Sequence, residues 1–306
     1  MAWPPAIVCR RVALVVYGVS LLLYLLLAGM LYALGLDTRA VLVVAQFVAL
    51  FGLALWLARL LRLPVTEAFA LRPAAGIHFA AAAAAALPLQ VGGGALQFAI
   101  LGLLPDDSPL RRMMEETIGR LVAVEGPGDL AMLFLAVVVT AALCEEFLFR
   151  GLILQLLVRR AGWGSAIVWS AALFAIYHLN PVVLLPVGLV GAWLALLVWR
   201  SGSLYPAIAA HGLNNAVALF ALPLLVDEAV YGRYLAVTLA GAIAAFALVL
   251  YVYLALTPAQ ATHAAEPLVS TRAAPPVAPP AGRPGGLEGD RVDGRLGDGK
   301  QAEHSQ

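Results

Sequence analysis

Apolar residues run along this chain in long blocks separated by short polar stretches. A helix that crosses a bilayer needs about 20 mostly apolar residues. Eight blocks read as spans, at 12–34, 40–61, 77–104, 129–158, 164–179, 182–199, 205–224 and 233–256. The third holds the run Ala80–Ala86, then Pro88 and Gly92–Gly94, which predicts a kink or a break there. The stretch 105–128 carries Asp106, Asp107, Arg111, Arg112, Glu115 and Glu116 and predicts a short helix at the membrane surface. From Thr257 onward the chain has seven Pro and seven Gly, charges of both signs and no apolar period, which predicts a disordered tail without chemistry. The organisation is then N-terminal membrane helices with a surface segment (1–128), a central core (129–224), a last membrane helix (225–256) and a cytoplasmic tail (257–306).

Composition sharpens the picture. The apolar set makes up 62% of the residues and charged residues 12%, with a mean hydropathy of +0.91. Soluble domains hold about 45–50% and about 25%. A soluble enzyme and a disordered or collagen-like chain are excluded, and the fold class is all-α, a polytopic membrane helical bundle of about eight transmembrane helices. The net charge of +1 implies no nucleic-acid partner. Cys9 and Cys144 lack a CxxC or zinc-knuckle neighbour. The apolar run after Arg10 and Arg11 reaches Leu34, too long for a signal peptide's apolar region, so it reads as a first span.

Arginine placement sets the orientation. With the N-terminus inside, the inner loops hold Arg10, Arg11, Arg59, Arg62, Arg72, Arg159, Arg160 and Arg200, and the outer loops Arg39, Arg111, Arg112, Arg120 and Arg233. Eight spans then put both termini in the cytoplasm, with the protein in the cytoplasmic membrane. No internal repeat is evident, which counts against an inverted-repeat transporter.

An acid or Arg at the centre of a span costs at least about 2.5–3.5 kcal/mol, so such residues point to function. Nearly all charges before 257 sit in loops or at span ends. The exceptions are Glu145, Glu146 and Arg150 in the fourth block, with His178 in the fifth and His211 in the seventh. The Asn residues, Asn180, Asn214 and Asn215, fall in the same region. Folding the chain at Gly162 puts Glu145, Glu146 and His178 at one depth, roughly 24 Å from the inner turn, with His211 about 10 Å shallower. Glu146 and Arg150 share a helix face at i,i+4, as do Phe174 and His178, and His211 and Asn215. A Glu and two His in an apolar pocket suit activation of water, the carboxylate taking the proton. A second His with an Asn suits stabilisation of an oxyanion. The reaction class this suggests is amide hydrolysis at membrane depth.

Plainer readings stand beside these. Glu146 and Arg150 form a packing ion pair, Glu145 faces a water-filled vestibule, and His211 and Asn215 bond across helices. Asn214 and Asn180 read as structural, Gly188 and Gly191 as close-packing sites, and His78 as interfacial, while His263 and His304 sit in the tail.

The run Cys144-Glu145-Glu146-Phe147-Leu148-Phe149-Arg150 fits EExxxR, Phe174-Ala175-Ile176-Tyr177-His178 fits FxxxH, and His211-Gly212-Leu213-Asn214-Asn215 fits HxxxN. With the lead-in Ser201–Ala210, they resemble the CPBP family of intramembrane proteases, related to the type II CAAX prenyl endopeptidase and also known as the Abi family. The resemblance covers about 130–222. It implies an intramembrane endopeptidase that hydrolyses a peptide bond of a membrane-associated peptide or protein. Glu145 would activate water, His178 would help hold it, His211 and Asn215 would form the oxyanion hole, and Glu146 and Arg150 would support. No cofactor is required in a glutamate mechanism. Relatives are also called metalloproteases, and zinc would fall to Glu145, His178 and His211, although no HExxH is present. The alternatives are a non-catalytic membrane immunity or scaffold protein and a proton-coupled transporter. The expected partners are a peptide or protein substrate and the lipid bilayer.

Overall fold

The computed structural model describes residues 6–226 and 228–258, and every regular element among them is helical. The main helices are α1 (Ala6–Ala33), α2 (Thr38–Leu60), α3 (Gly76–Leu101), α4 (Pro109–Val122), α5 (Pro127–Arg159), α6 (Ala161–Tyr177), α7 (Leu184–Ser201), α8 (Tyr205–Leu224) and α9 (Ala229–Leu256). By length and composition, seven of the described helices can cross a membrane: α1, α2, α3, α5, α7, α8 and α9. The polytopic helical bundle holds, while the expected count of eight rests on α6, which is apolar but shorter. Two backbone features fix its ends. Gly162 adopts φ 72°, ψ 172° at the start, and Leu179 takes φ 52° just past the last turn. At about 1.5 Å per residue, α6 is about 25 Å long, close to the lower limit for a span. The expected tail beyond Pro258 lies outside the described residues.

Helix ends follow local chemistry. α1 stops at Gly35, whose φ of 78° suits the left-handed turn there. The Leu36 N–H donates to the Leu31 carbonyl and the Gly35 N–H to the Tyr32 carbonyl, which closes the last turn. Asp37 then caps α2, its carboxylate accepting from the Arg39 N–H at 2.8 Å, a contact worth about 1 kcal/mol. Arg39, counted with the outer loops, is buried. Its guanidinium donates to the Leu121 and Ala123 carbonyls and pairs with Asp129, tying the end of α4 and the start of α5 to α2.

The third span is continuous through Pro88 and the three glycines. The expected break is absent because its neighbours hold it. α3 packs along α7, α8 and α9, and Gly92 and Gly93 lie against Ala242 and Pro186. Small residues elsewhere let backbones approach, as membrane packing requires: Ala13, Ala45, Ala49, Ala54 and Ala58 are fully buried. The buried core centres on α5, through Leu148, Phe149, Leu152, Ile153, Leu154 and Leu156. The polar stretch 105–128 forms the helix α4, with Met114 its buried residue.

Orientation can be read directly. With α6 counted as a span, a reporter fused after Leu256 is expected to be active only in its cytoplasmic form. Activity only in the periplasmic form would mean that α6 turns back without crossing.

Candidate active site

α5 positions the two acids. It carries two π-helical stretches, Phe134–Thr140 and Phe147–Ile153, with Glu145 and Glu146 in the α-helical turn between them. Such wide turns are frequent at functional sites. Each takes in an extra residue, so α5 covers less depth per residue than a regular helix. The second stretch lies between Glu145 and the inner turn, and takes about 1.5 Å off the depth gap anticipated between Glu145 and His211.

The centre of the cluster is Glu146, which is fully buried. Its Oε1 accepts from Arg150 Nη1 at 2.7 Å and from His211 Nδ1 at 2.9 Å. Arg150, also fully buried, donates a second bond from Nη2 to the Gly191 carbonyl at 2.9 Å. Its guanidinium lies 4.2 Å from the centre of the Phe174 ring, a cation–π contact. The packing role anticipated for Gly191 has a specific cause: a Cβ there would sit 3.0 Å from Phe174 Cδ1 and 3.2 Å from Arg150 Nη2.

Glu145 points to the other side of α5. Gln46, on α2, donates from Nε2 to Glu145 Oε1 at 3.2 Å. The other oxygen, Oε2, lies 3.9 Å from His211 Nε2. That separation is too long for a direct hydrogen bond. His211 therefore stands between the acids, bonded to Glu146 through one ring nitrogen and facing Glu145 with the other.

His178 and Asn215 join the site through a cavity of about 370 Å³. His178, His211, Asn214 and Asn215 line it, together with Gln90, Gln97 and an apolar wall that includes Phe174, Pro186 and Val190. Neither Glu145 nor Glu146 is among the lining residues, so His211 links the cluster to the cavity. His178 caps the end of α6, and its Nδ1 donates to the Phe174 carbonyl at 2.9 Å. Among the described residues no hydrogen bond or ion pair joins His178 to Glu145. Asn215 donates from Nδ2 to the Val137 carbonyl at 2.8 Å.

The nitrogen assignments follow from the acceptors. A carbonyl or an ionised carboxylate only accepts, so each His donates from Nδ1. In the neutral ring, Nε2 is then an acceptor in both. A zinc ion on Glu145, His178 and His211 does not fit this arrangement: among the described residues no three His, Cys, Asp or Glu side chains group as metal ligands.

Sequence reasoning missed Gln46, Gln90 and Gln97. The signal was available, since each is a polar residue inside an apolar block.

Residues 127–217 match the family described as type II CAAX prenyl endopeptidase Rce1-like. The match covers under a third of the chain. It starts at the first residue of α5 and ends just past Asn215, so it holds all three motifs and leaves out α1–α3 and α9. No match was found among curated proteins or among solved structures. With a helical membrane bundle around it, the segment 127–217 is similar to Rce1-like type II CAAX prenyl endopeptidases, consistent with the CPBP resemblance of its motifs.

Proposed function

We propose that the protein is an intramembrane endopeptidase in which Glu145 is the general base. The observation that carries this is the 3.9 Å gap between Glu145 Oε2 and His211 Nε2, with His211 also lining the cavity. A water lodged there contacts both groups. Glu145 Oε2 takes a proton as the water oxygen attacks the peptide carbonyl, and later gives that proton to the departing amine. Gln46 holds Oε1, which leaves Oε2 as the working oxygen. His178, whose Nδ1 donates to the Phe174 carbonyl, accepts at Nε2 a hydrogen bond from the water's other O–H, which stays on the attacking oxygen.

Glu146 and Arg150 orient His211. When both ring nitrogens carry a proton, Nε2–H donates to the oxyanion. Asn215 spends one N–H on Val137, and the second serves the same oxyanion. No step is routed through a metal.

The test is cleavage of a membrane-anchored peptide library by purified protein in liposomes. Cleavage products from the parent chain support the reading. A library left intact while the protein transports protons would favour the transporter. Two variants probe the roles. Asn215→Ala is expected to lower kcat by about 10²–10³-fold, the usual effect of losing an oxyanion donor. Gln46→Leu is expected to lower kcat by about 10–100-fold, as loss of a hydrogen bond to a charged group does, with KM unmoved. In a Glu145→Gln background, Gln46→Leu should have no further effect, because neighbours acting through one group are not additive.

A further inference from the structure

A π-helical stretch shifts the backbone bonds by one residue and releases a carbonyl from its helical donor. α2 holds such a stretch, Phe47–Gly52. In an α-helix the Leu53 N–H would bond the Ala49 carbonyl. Here it donates to Val48 and Leu50 instead. Ala49 is fully buried, so its carbonyl needs another partner. Ser20 of α1, also fully buried, donates to it from Oγ at 3.0 Å. α5 shows the same pattern. The Ala141 N–H donates to Ala136, and the Val137 carbonyl it passes over is the one that Asn215 takes. The Leu154 N–H donates to Phe149, and the Arg150 carbonyl accepts from Gln155 Nε2 at 3.3 Å. Ser20 and Asn215 thus act alike: each reaches from another helix and locks it to a π turn.

Ser20 also reaches α6. Its one hydroxyl hydrogen is spent on Ala49, so the Tyr177 hydroxyl, 3.0 Å away, donates to Ser20 Oγ. Tyr177 is the last residue of α6, and its ring packs edge-on against Phe149 and Tyr17 at centroid distances of 5.4 Å and 5.7 Å. His178 follows directly. The helix ends there, with Leu179 already at φ 52°. The bond from His178 Nδ1 to the Phe174 carbonyl lies within α6. It orients the ring but does not fix the helix end against α5 or α8. The relay of Tyr177, Ser20 and Ala49 gives that end a fixed point. It leads to α2, where Gln46, on the turn before Ala49, holds Glu145. One buried hydroxyl therefore ties the His178 arm of the site to the Glu145 arm, from a helix outside the family match.

We propose that Ser20 is a positioning residue of the hydrolytic site: through Tyr177 it holds His178 in register with Gln46 and Glu145. This rests on the endopeptidase reading and adds a part of the machinery that α1 contributes.

Two readouts test it. The first is cleavage of a membrane-anchored peptide in liposomes. Ser20→Ala and Tyr177→Phe are each expected to lower kcat by about 10–100-fold with KM little changed, since a misplacement of about 1 Å costs about 10²-fold. The double variant should be no worse than the more damaging single one. Ser20→Thr keeps the hydroxyl and should recover most of the parent kcat. In a His178→Ala background Tyr177→Phe should have no further effect, whereas in an Asn215→Ala background it should act in full. General loosening of the bundle would act in full in both. The second readout is the ring nitrogen-15 signal of His178, in histidine-labelled protein and assigned with His178→Ala. Tyr177→Phe should shift it and leave the His78 signal in place. Melting is measured on every variant. If Ser20→Ala does not fold, Tyr177→Phe, which leaves the Ala49 carbonyl paired, carries both tests.

The proposal is overturned if Tyr177→Phe keeps the parent kcat, if its effect is as large without His178 as with it, or if the His178 signal does not move. The endopeptidase reading fails separately, when the parent chain leaves the peptide uncleaved. The His178 signal then still reads whether Ser20 and Tyr177 hold that side chain.

Discussion

Glu145→Gln is expected to lower peptide cleavage by about 10²–10⁴-fold, the usual worth of a general base, with expression and fold unchanged. The substitution keeps the side chain's size and its ability to accept from Gln46. It removes the capacity to take a proton at Oε2, which faces His211 across 3.9 Å. Glu145 is partly accessible and has one hydrogen bond, from Gln46, so its neutralisation leaves no buried charge stranded. The check is kcat on one membrane-anchored substrate, with melting of both proteins measured in the same detergent. Near-normal turnover would remove Glu145 from the role of base.

Glu146→Gln is expected to act on stability first. Glu146 and Arg150 are both fully buried and paired at 2.7 Å. Removing one partner of such a pair costs about 3–5 kcal/mol, because the other charge stays buried without compensation. Arg150 would keep the Gly191 carbonyl and the Phe149 and Phe174 rings, and would face a neutral amide in place of its carboxylate. The double variant Glu146→Gln/Arg150→Met removes the stranded charge and should recover much of the lost stability. His211 would still lack its carboxylate partner, so activity should not return with the fold. A well-folded but inactive Glu146→Gln would instead move the base one residue along α5.

The bundle was legible from block length and composition, since a bilayer demands long apolar runs and little else produces them. The residues of the buried cluster were legible because charge inside a span is costly and therefore rare. Details set by neighbours were not. Pro88 and Gly92–Gly94 spell a break in isolation, yet α3 runs through them under the packing of α7, α8 and α9. The π-helical stretch Phe147–Ile153 leaves no mark on an apolar pattern, and its one extra residue accounts for about 1.5 Å of the roughly 10 Å depth gap that residue counting leaves for His211. Arg39 counts as an outer-loop charge by position, but folding buries it among the carbonyls of Leu121 and Ala123. Gln46 comes from α2, 99 positions away from Glu145, and no local motif could pair them. His178 and Glu145 were matched in depth, but depth along a helix says nothing about which way each side chain faces.

The most direct measurement is cleavage of one membrane-anchored peptide in water enriched in oxygen-18, followed by mass spectrometry of both fragments. The account predicts two fragments from the parent protein. The new carboxyl terminus should gain one heavy oxygen from the attacking water, and Glu145→Gln should give neither fragment above background. An uncleaved peptide, or equal fragment yields from the parent and Glu145→Gln, would contradict it.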